Sequence, residues 1–325
     1  MKEHAFIAID SGKYATKAMM EYKGKTYIMI FRTKMQEVSD IGIDIQPNSF
    51  KVELDGKQYL LGDMVSETRS DFNLSKEVLI HKLAIYTAIV DLMKKANAYF
   101  HNTHLHVAVN VPINVYKNKT SKDSFKEYIE NKSKTIYLRL NDNTHVFNLN
   151  DLTICFEGMG LVYANTEEYS KHSSAIIDIG GLNTTYCVFN GLQPDLNSMT
   201  VSHLGINTLK ASLEQELVQK YNQNISANDL EQIIKKGYFS HMGKIDEESR
   251  GIIQKIRKAH LEQILNYAKQ HDYTFNQDKI IFSGGGALLL QQEIQNSFPN
   301  ATTVVNPQFA NVKSFLEIIK VKYSS

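Results

Sequence analysis

The feature that most constrains this chain is an internal repeat. AIDSGKYATKAMM (8–20) and IDIGGLNTTYCVF (177–189) share one pattern: apolar strand, Asp-x-Gly-x-x-x-Thr, apolar strand. Asp178 lies 168 positions after Asp10, and the same offset takes Gly12 to Gly180 and Thr16 to Thr184. A single Asp-x-Gly is common by chance. Two copies at this separation, each between strands, point to a chain built from two like-folded halves.

Length agrees, since 325 residues suggest about two domains. Lys+Arg 36 against Asp+Glu 35 leaves a net charge of +1, which argues against direct nucleic-acid binding. Charged residues at 22% and hydrophobic residues at 42% exclude extended disorder. Two cysteines, Cys155 and Cys187, support neither a disulfide framework nor a four-cysteine zinc site. Both sit in apolar runs and read as buried thiols. The start, MKEHAFIAIDSGK, lacks the apolar run of a signal peptide. No segment approaches a membrane-spanning length. The expectation is a soluble cytoplasmic protein.

The first half reads as strands with a helical insert. Residues 50–63 form a hairpin around Asp55-Gly56, and 135–149 a second around Asn141 to Asn143. Residues 76–100 carry apolar positions at amphipathic helical spacing, and 105–112 form a buried strand stopped by Pro112. The second half opens with a helix near 158–168, then two strands around the second repeat. Helices are expected at 205–221, 226–236, 246–271, 287–297 and 308–322. A strand is expected at 279–283 before a tight turn at 284–286, and another at Val304-Val305.

A strand-to-strand turn rich in Gly and hydroxyls presents backbone N–H groups to phosphate oxygens. Gly12, Gly180 and Gly181 permit close approach, and Thr16, Thr184 and Thr185 add donors. Asp10 and Asp178 stand at strand ends, where a carboxylate can hold Mg²⁺ or its waters. The alternative makes both ordinary turn residues bonded to their own backbone. In IIFSGGGALLL (280–290), a strand runs into Gly284, Gly285 and Gly286 and then a helix, whose N-terminus suits an anion or a nucleotide's polar face. This is neither G-x-G-x-x-G nor Walker A. Glu157 ends an apolar strand and is either a water-orienting carboxylate or a helix-start residue favoured by the dipole. Gly205 precedes a helix bearing Lys210 and Glu214, which are either base or ribose contacts or an exposed i,i+4 pair. His101, His104 and His106 suggest a metal only weakly, with no carboxylate cluster beside them in sequence.

These residues resemble the actin/Hsp70/sugar-kinase superfamily over nearly the whole chain: two phosphate turns, a Glu-bearing connection and a late Gly-rich loop. The 50–63 hairpin, the long helix and LHVAVNVP are similar to the ParM/StbA-type plasmid-segregation actins. The resemblance implies an α/β, actin-like (ribonuclease H-like) two-domain fold, each domain a mixed sheet flanked by helices, with a nucleotide cleft between them. Its domains would be 1–157 plus 308–325, and 158–307. It implies ATP or GTP with Mg²⁺, and NTP hydrolysis that controls the stability of homopolymeric filaments. Those filaments would move plasmids through a DNA-bound adaptor of the ParR type, with no membrane partner and no direct contact to nucleic acid.

By resemblance, Asp10, Ser11, Gly12, Lys13, Thr16 and Lys17 form the first phosphate turn. Asp178, Gly180, Gly181, Asn183, Thr184 and Thr185 form the second. Ser283 with Gly284, Gly285 and Gly286 meets the nucleoside, together with Gly205, Lys210 and Glu214. Glu157, Asp178 and Asp10 are the catalytic set, with Asp10 and Asp178 on Mg²⁺ through water. Lys13-Tyr14-Ala15 is bulkier than the family's usual first turn. A small-molecule kinase of the same superfamily, acting on a sugar or a pantothenate-like acceptor, is the alternative. A chaperone-like ATPase is disfavoured because no substrate-binding domain follows before Ser325.

Overall fold

The computed structural model describes residues 2–39, 42, 44–66, 76–156, 158, 161–304 and 309–323. The chain divides into two compact units, Met1–Ala164 with Asn311–Ser325, and Asn165–Ala310.

The first unit opens with β1 (Glu3–Ser11), β2 (Ala15–Tyr22), β3 (Lys25–Arg32), β4 (Met35–Glu37), β5 (Ser49–Leu54) and β6 (Lys57–Gly62). Next come α1 (Leu79–Lys95), β7 (Thr103–Val111), α2 (Ile113–Lys117), α3 (Lys119–Ile129), β8 (Ile136–Leu140), β9 (Asn143–Phe147) and β10 (Asp151–Phe156). One sheet has the order β10-β7-β1-β2-β3, and a second β4-β6-β5-β8-β9. The hairpin turns follow from residues that tolerate left-handed backbone. Asp55 and Gly56 have φ of 51° and 76°, and Asn141 and Asp142 have 45° and 67°, the pattern of a two-residue hairpin turn.

α1 departs from the amphipathic expectation. It buries residues on nearly every side, from Ile80 and Leu83 to Leu92 and Met93, because it packs against strands of both sheets. A helix covered on all sides needs no polar stripe.

The second unit contains α4 (Thr166–Tyr169), β11 (Ser173–Ile179), β12 (Thr184–Asn190), β13 (Gln193–Ser202), α5 (Ile206–Tyr221) and α6 (Ala227–Lys236). It continues with β14 (Phe239–His241), β15 (Lys244–Asp246), α7 (Glu248–Gln270), β16 (Lys279–Ser283), α8 (Gly284–Leu289), α9 (Gln291–Ser297) and β17 (Thr302–Thr303). The closing helix α10 (Ala310–Tyr323) returns to the first unit.

The second unit's main sheet has the order β13-β12-β11-β16-β17. Read from its other edge, this is the first unit's order. The registers repeat as well: Asp10 faces Lys17 across β1–β2, and Asp178 faces Thr185 across β11–β12. β1 pairs in parallel with β7, and β11 with β16. The repeat seen in sequence is therefore a repeat of topology.

Three further expectations need correction, and one strand was missed. The helix near 158–168 is only a 3₁₀ turn at Tyr163–Asn165 and the short α4, among the described residues. The tight turn at 284–286 is instead the first turn of α8, entered by Gly284 at φ 83°. The late strand is Thr302–Thr303; Val304 follows it, and Val305 lies outside the described residues. β13 was not anticipated, because its alternating polar residues give it no continuous apolar signal. Among the described residues, no helix is long and apolar enough to cross a membrane.

Candidate functional site

Asp10 stands at the end of β1 with 5% of its surface exposed. A buried carboxylate needs hydrogen-bond partners or a counter-charge. Asn110 Nδ2 donates to Asp10 Oδ1 across 2.8 Å, Asn311 Nδ2 lies 3.5 Å from Oδ2, and Lys17 Nζ lies 3.7 Å from it. Asn110 Oδ1 also accepts the Ser11 N–H at 3.1 Å. Ser11 Oγ lies 2.7 Å from His81 Nδ1, both side chains buried. Burial, with the nearby positive charges of Lys76 and Lys13, holds His81 well below the usual imidazole range, so it is neutral.

The bulky Lys13-Tyr14-Ala15 segment is pinned by Arg32. The Tyr14 carbonyl accepts from Arg32 Nε at 3.0 Å and from the Thr33 N–H at 3.1 Å. The guanidinium carbon lies 3.7 Å from the centre of the Tyr14 ring. Thr16 faces inward at the start of β2, where its Oγ1 pairs with Thr33 Oγ1 at 2.9 Å. Its hydroxyl is thus engaged inside the fold.

The second turn repeats this geometry. A Cβ on Gly12 would meet the Ala15 carbonyl oxygen at 2.8 Å, and one on Gly180 the Asn183 carbonyl oxygen at 3.0 Å. Gly180 N–H donates to that Asn183 carbonyl, closing the turn. Thr184 Oγ1 donates to the Leu204 carbonyl at 2.7 Å, again inside the fold. Asn183 Oδ1 lies 3.3 Å from His203 Nδ1, and Thr185 is buried.

Asp178 occupies the position of Asp10 and is 7% exposed. Its β16 neighbour in register is Ser283, fully buried with no hydrogen-bond partner for Oγ among the described residues. A Cβ on Gly284 would press on Asp178 Oδ1 and the Ile179 carbonyl, and one on Gly286 on the Ile179 side chain. Among the described residues, Gly285 has nothing within 4 Å of its Cβ position. Gly284 and Gly286 are therefore required by packing against β11, and Gly285 marks open space.

Gly205 also has a packing reason. The amides of Ile206 and Asn207, opening α5, donate to the Gly180 and Gly181 carbonyls, and a Cβ on Gly205 would collide with residues 181–183. Lys210 pairs with Glu231 of α6 rather than with the exposed Glu214. The i,i+4 reading is thereby replaced by a bond between two helices. Glu157 lies outside the described residues. The adjacent Gly158 N–H donates to Asn311 Oδ1 at 3.0 Å.

Sequence reasoning missed Asn110, His81 and Asn311, which surround Asp10 and Ser11. Asn110 had a signal: it is a polar residue inside the buried run LHVAVNV. His81 had a similar one in the apolar α1. Asn311 had none. The histidine expectation also changes, because Asp151 lies 2.5 Å from His104 Nε2 and so provides the carboxylate that sequence order concealed.

Residues 8–160 match the model described as the N-terminal domain of actin-like proteins. A filament structure of Alp12 aligns at 28% identity and TM-score 0.72, covering 99% of each chain. The chain has an actin-like fold. It is also similar in fold to a 15-stranded ParM filament from Clostridium botulinum, at 18% identity and TM-score 0.80, covering 98% of this chain and 99% of that one. It is likewise similar to Ta0583, an archaeal actin homologue solved with ADP, at 16% identity and TM-score 0.72, covering 98% and 99%. No curated protein sequence matches it.

Proposed function

We propose that this actin-like protein binds ATP or GTP with Mg²⁺, assembles into homopolymeric filaments, and uses hydrolysis to control their stability. The observation that carries the reading is the repeated turn with a buried carboxylate, Asp10 in one unit and Asp178 in the other, each at the end of the same strand of the same sheet topology. Likeness to the Alp12 filament and to an ADP-bound homologue supports it.

In this reading the turns at 10–17 and 178–185 offer backbone N–H groups to phosphates. Lys13 and Lys17 add positive charge. Ser283 and the open space at Gly285 receive the nucleoside. Glu157 orients a water, and Asp178 accepts a hydrogen bond from it. Magnesium prefers hard oxygen ligands and keeps most of its waters, so buried carboxylates at strand ends fit it. When bound, Mg²⁺ would offset the charge on the phosphate oxygens. The domains are taken as 1–157 plus 308–325, and 158–307. The filaments act in the cytoplasm in plasmid segregation, through a DNA-bound adaptor of the ParR type, consistent with a net charge of only +1.

Right-angle light scattering with parallel phosphate release tests this. Purified protein is mixed with Mg²⁺ and ATP, GTP, ADP or a non-hydrolysable analogue. A nucleotide-triggered rise that decays as phosphate appears, and is lost in Asp178→Ala, is the expected result. Flat scattering, with turnover only after a sugar or pantothenate-like acceptor is added, would overturn it in favour of a kinase.

A further inference from the structure

A second cluster of functional groups sits at the opposite end of the first unit's sheet. β1, β7 and β10 run parallel, with His4 opposite His104, Phe6 opposite His106, and His106 opposite Asp151. Alternate residues of a strand share a face, so His4, His104, His106 and Asp151 project from one face of three adjacent strands. Asp10 lies six residues further along β1, about 20 Å away at ~3.3 Å per residue. The cluster is therefore separate from the turn described above.

Three donor atoms converge there. His104 Nε2 lies 2.5 Å and His106 Nδ1 3.3 Å from Asp151 Oδ2, and all three atoms lie within 4.8 Å of one another. His106 is only 4% exposed, and its Nδ1 has no hydrogen-bond partner among the described residues. Its ring is held from other sides: His4 Nδ1 lies 2.9 Å from His106 Nε2, and the Phe6 and Tyr323 rings lie 4.9 and 4.4 Å away, centre to centre. With Nε2 engaged by His4, Nδ1 is the ring nitrogen left to take a ligand, 3.3 Å from Asp151 Oδ2.

We propose that His104 Nε2, His106 Nδ1 and Asp151 Oδ2 bind a transition-metal dication of the zinc class, with His4 positioning His106. The two-nitrogen, one-oxygen donor set suits Zn²⁺ or Co²⁺ and not Mg²⁺ or Ca²⁺, which take oxygen ligands. Tetrahedral zinc with bonds of about 2.0–2.1 Å sets its donors roughly 3.3 Å apart, which the His106–Asp151 pair already shows and which the His104–Asp151 pair, now directly bonded at 2.5 Å, reaches by opening less than 1 Å. The His104 and Asp151 side chains are 38% and 31% exposed, which leaves a path from solvent and a fourth position for water. His4 supplies the outer hydrogen bond that metal-binding imidazoles ordinarily have. The bound ion ties together the starts of β1, β7 and β10, beneath the Tyr323 end of α10. This inference is independent of the nucleotide reading.

The test uses the full chain, stripped with a chelator and titrated with Co²⁺ and Zn²⁺. Calorimetry and the visible absorption of tetrahedral Co²⁺ are the readouts. One equivalent per chain is expected, with thermal stabilisation by Zn²⁺. Asp151→Asn and His104→Gln should each weaken binding at least tenfold, and His4→Phe by about 10- to 100-fold. His101→Gln, outside the cluster, should leave binding unchanged. Metal-free melting curves establish that each variant folds, and if Asp151→Asn does not, His104→Gln decides. No binding at high-micromolar metal overturns the proposal. So does binding that survives His104→Gln, because it would then come from other surface histidines.

Discussion

Asn110 bridges Asp10 and Ser11, donating to the Asp10 carboxylate at 2.8 Å and accepting the Ser11 N–H at 3.1 Å. It is 1% exposed, so water cannot replace either bond. Extending the β1–β7 register by one residue sets Asn110 beside Asp10, as Ser283 sits beside Asp178 in the other unit. Asn110→Leu leaves both groups buried without this partner, at roughly 1–3 kcal/mol each. The expected outcome is a lower denaturation midpoint together with weaker nucleotide binding. Unchanged stability would show that Asp10 and Ser11 do not depend on it.

Gly284 and Gly285 are adjacent and should behave oppositely. Gly284 combines φ 83° with a Cβ position that presses on Asp178. Gly284→Ala should cost about 1–3 kcal/mol in stability and displace the Asp178 carboxylate. Gly285→Ala meets nothing within 4 Å and should leave stability nearly unchanged. In the nucleotide reading, Gly285→Ala alone still weakens nucleotide binding. Equal melting temperatures for the two variants would contradict the packing assigned here.

Acid sensitivity should trace partly to His260 on α7. Burial pushes its imidazole down from 6.5 to about 4, and its Nε2 has no partner among the described residues. The unfolded chain takes up this proton near pH 6.5, whereas the folded chain resists until about pH 4. The stabilisation is therefore complete above the upper value and is lost as pH falls toward the lower one, up to about 3 kcal/mol. His260→Leu should flatten that part of the stability profile, measured by urea unfolding between the two values. Parallel profiles for variant and parent would sink the assignment.

Thiol chemistry should be silent in the folded protein. Cys155 and Cys187 are each 1% exposed, and burial pushes the Cys155 thiol up to about 12. Only a thiolate attacks a disulfide reagent. Both thiols should react with such a reagent at the rate of unfolding, and rapid labelling of either in native buffer would contradict the burial.

The sequence by itself determined the doubling of the fold, the hairpins and the carboxylate at each turn. These are local signals: apolar alternation, two-residue turn chemistry and a repeated Asp-x-Gly. Tertiary structure alone decided what surrounds them. Asn110, His81 and Asn311 converge on Asp10 and Ser11 from β7, α1 and the start of α10, a meeting that only parallel pairing and the returning helix create. The inward hydroxyls of Thr16 and Thr184, the Lys210–Glu231 bond and the need for Gly205 follow the same logic. Each depends on which face of an element meets which neighbour, and periodicity along one strand or helix carries no information about the partner. The cluster of His4, His104, His106 and Asp151 makes the point most plainly. Its members are spread over nearly 150 positions of sequence, and parallel register alone brings them within reach of one ion.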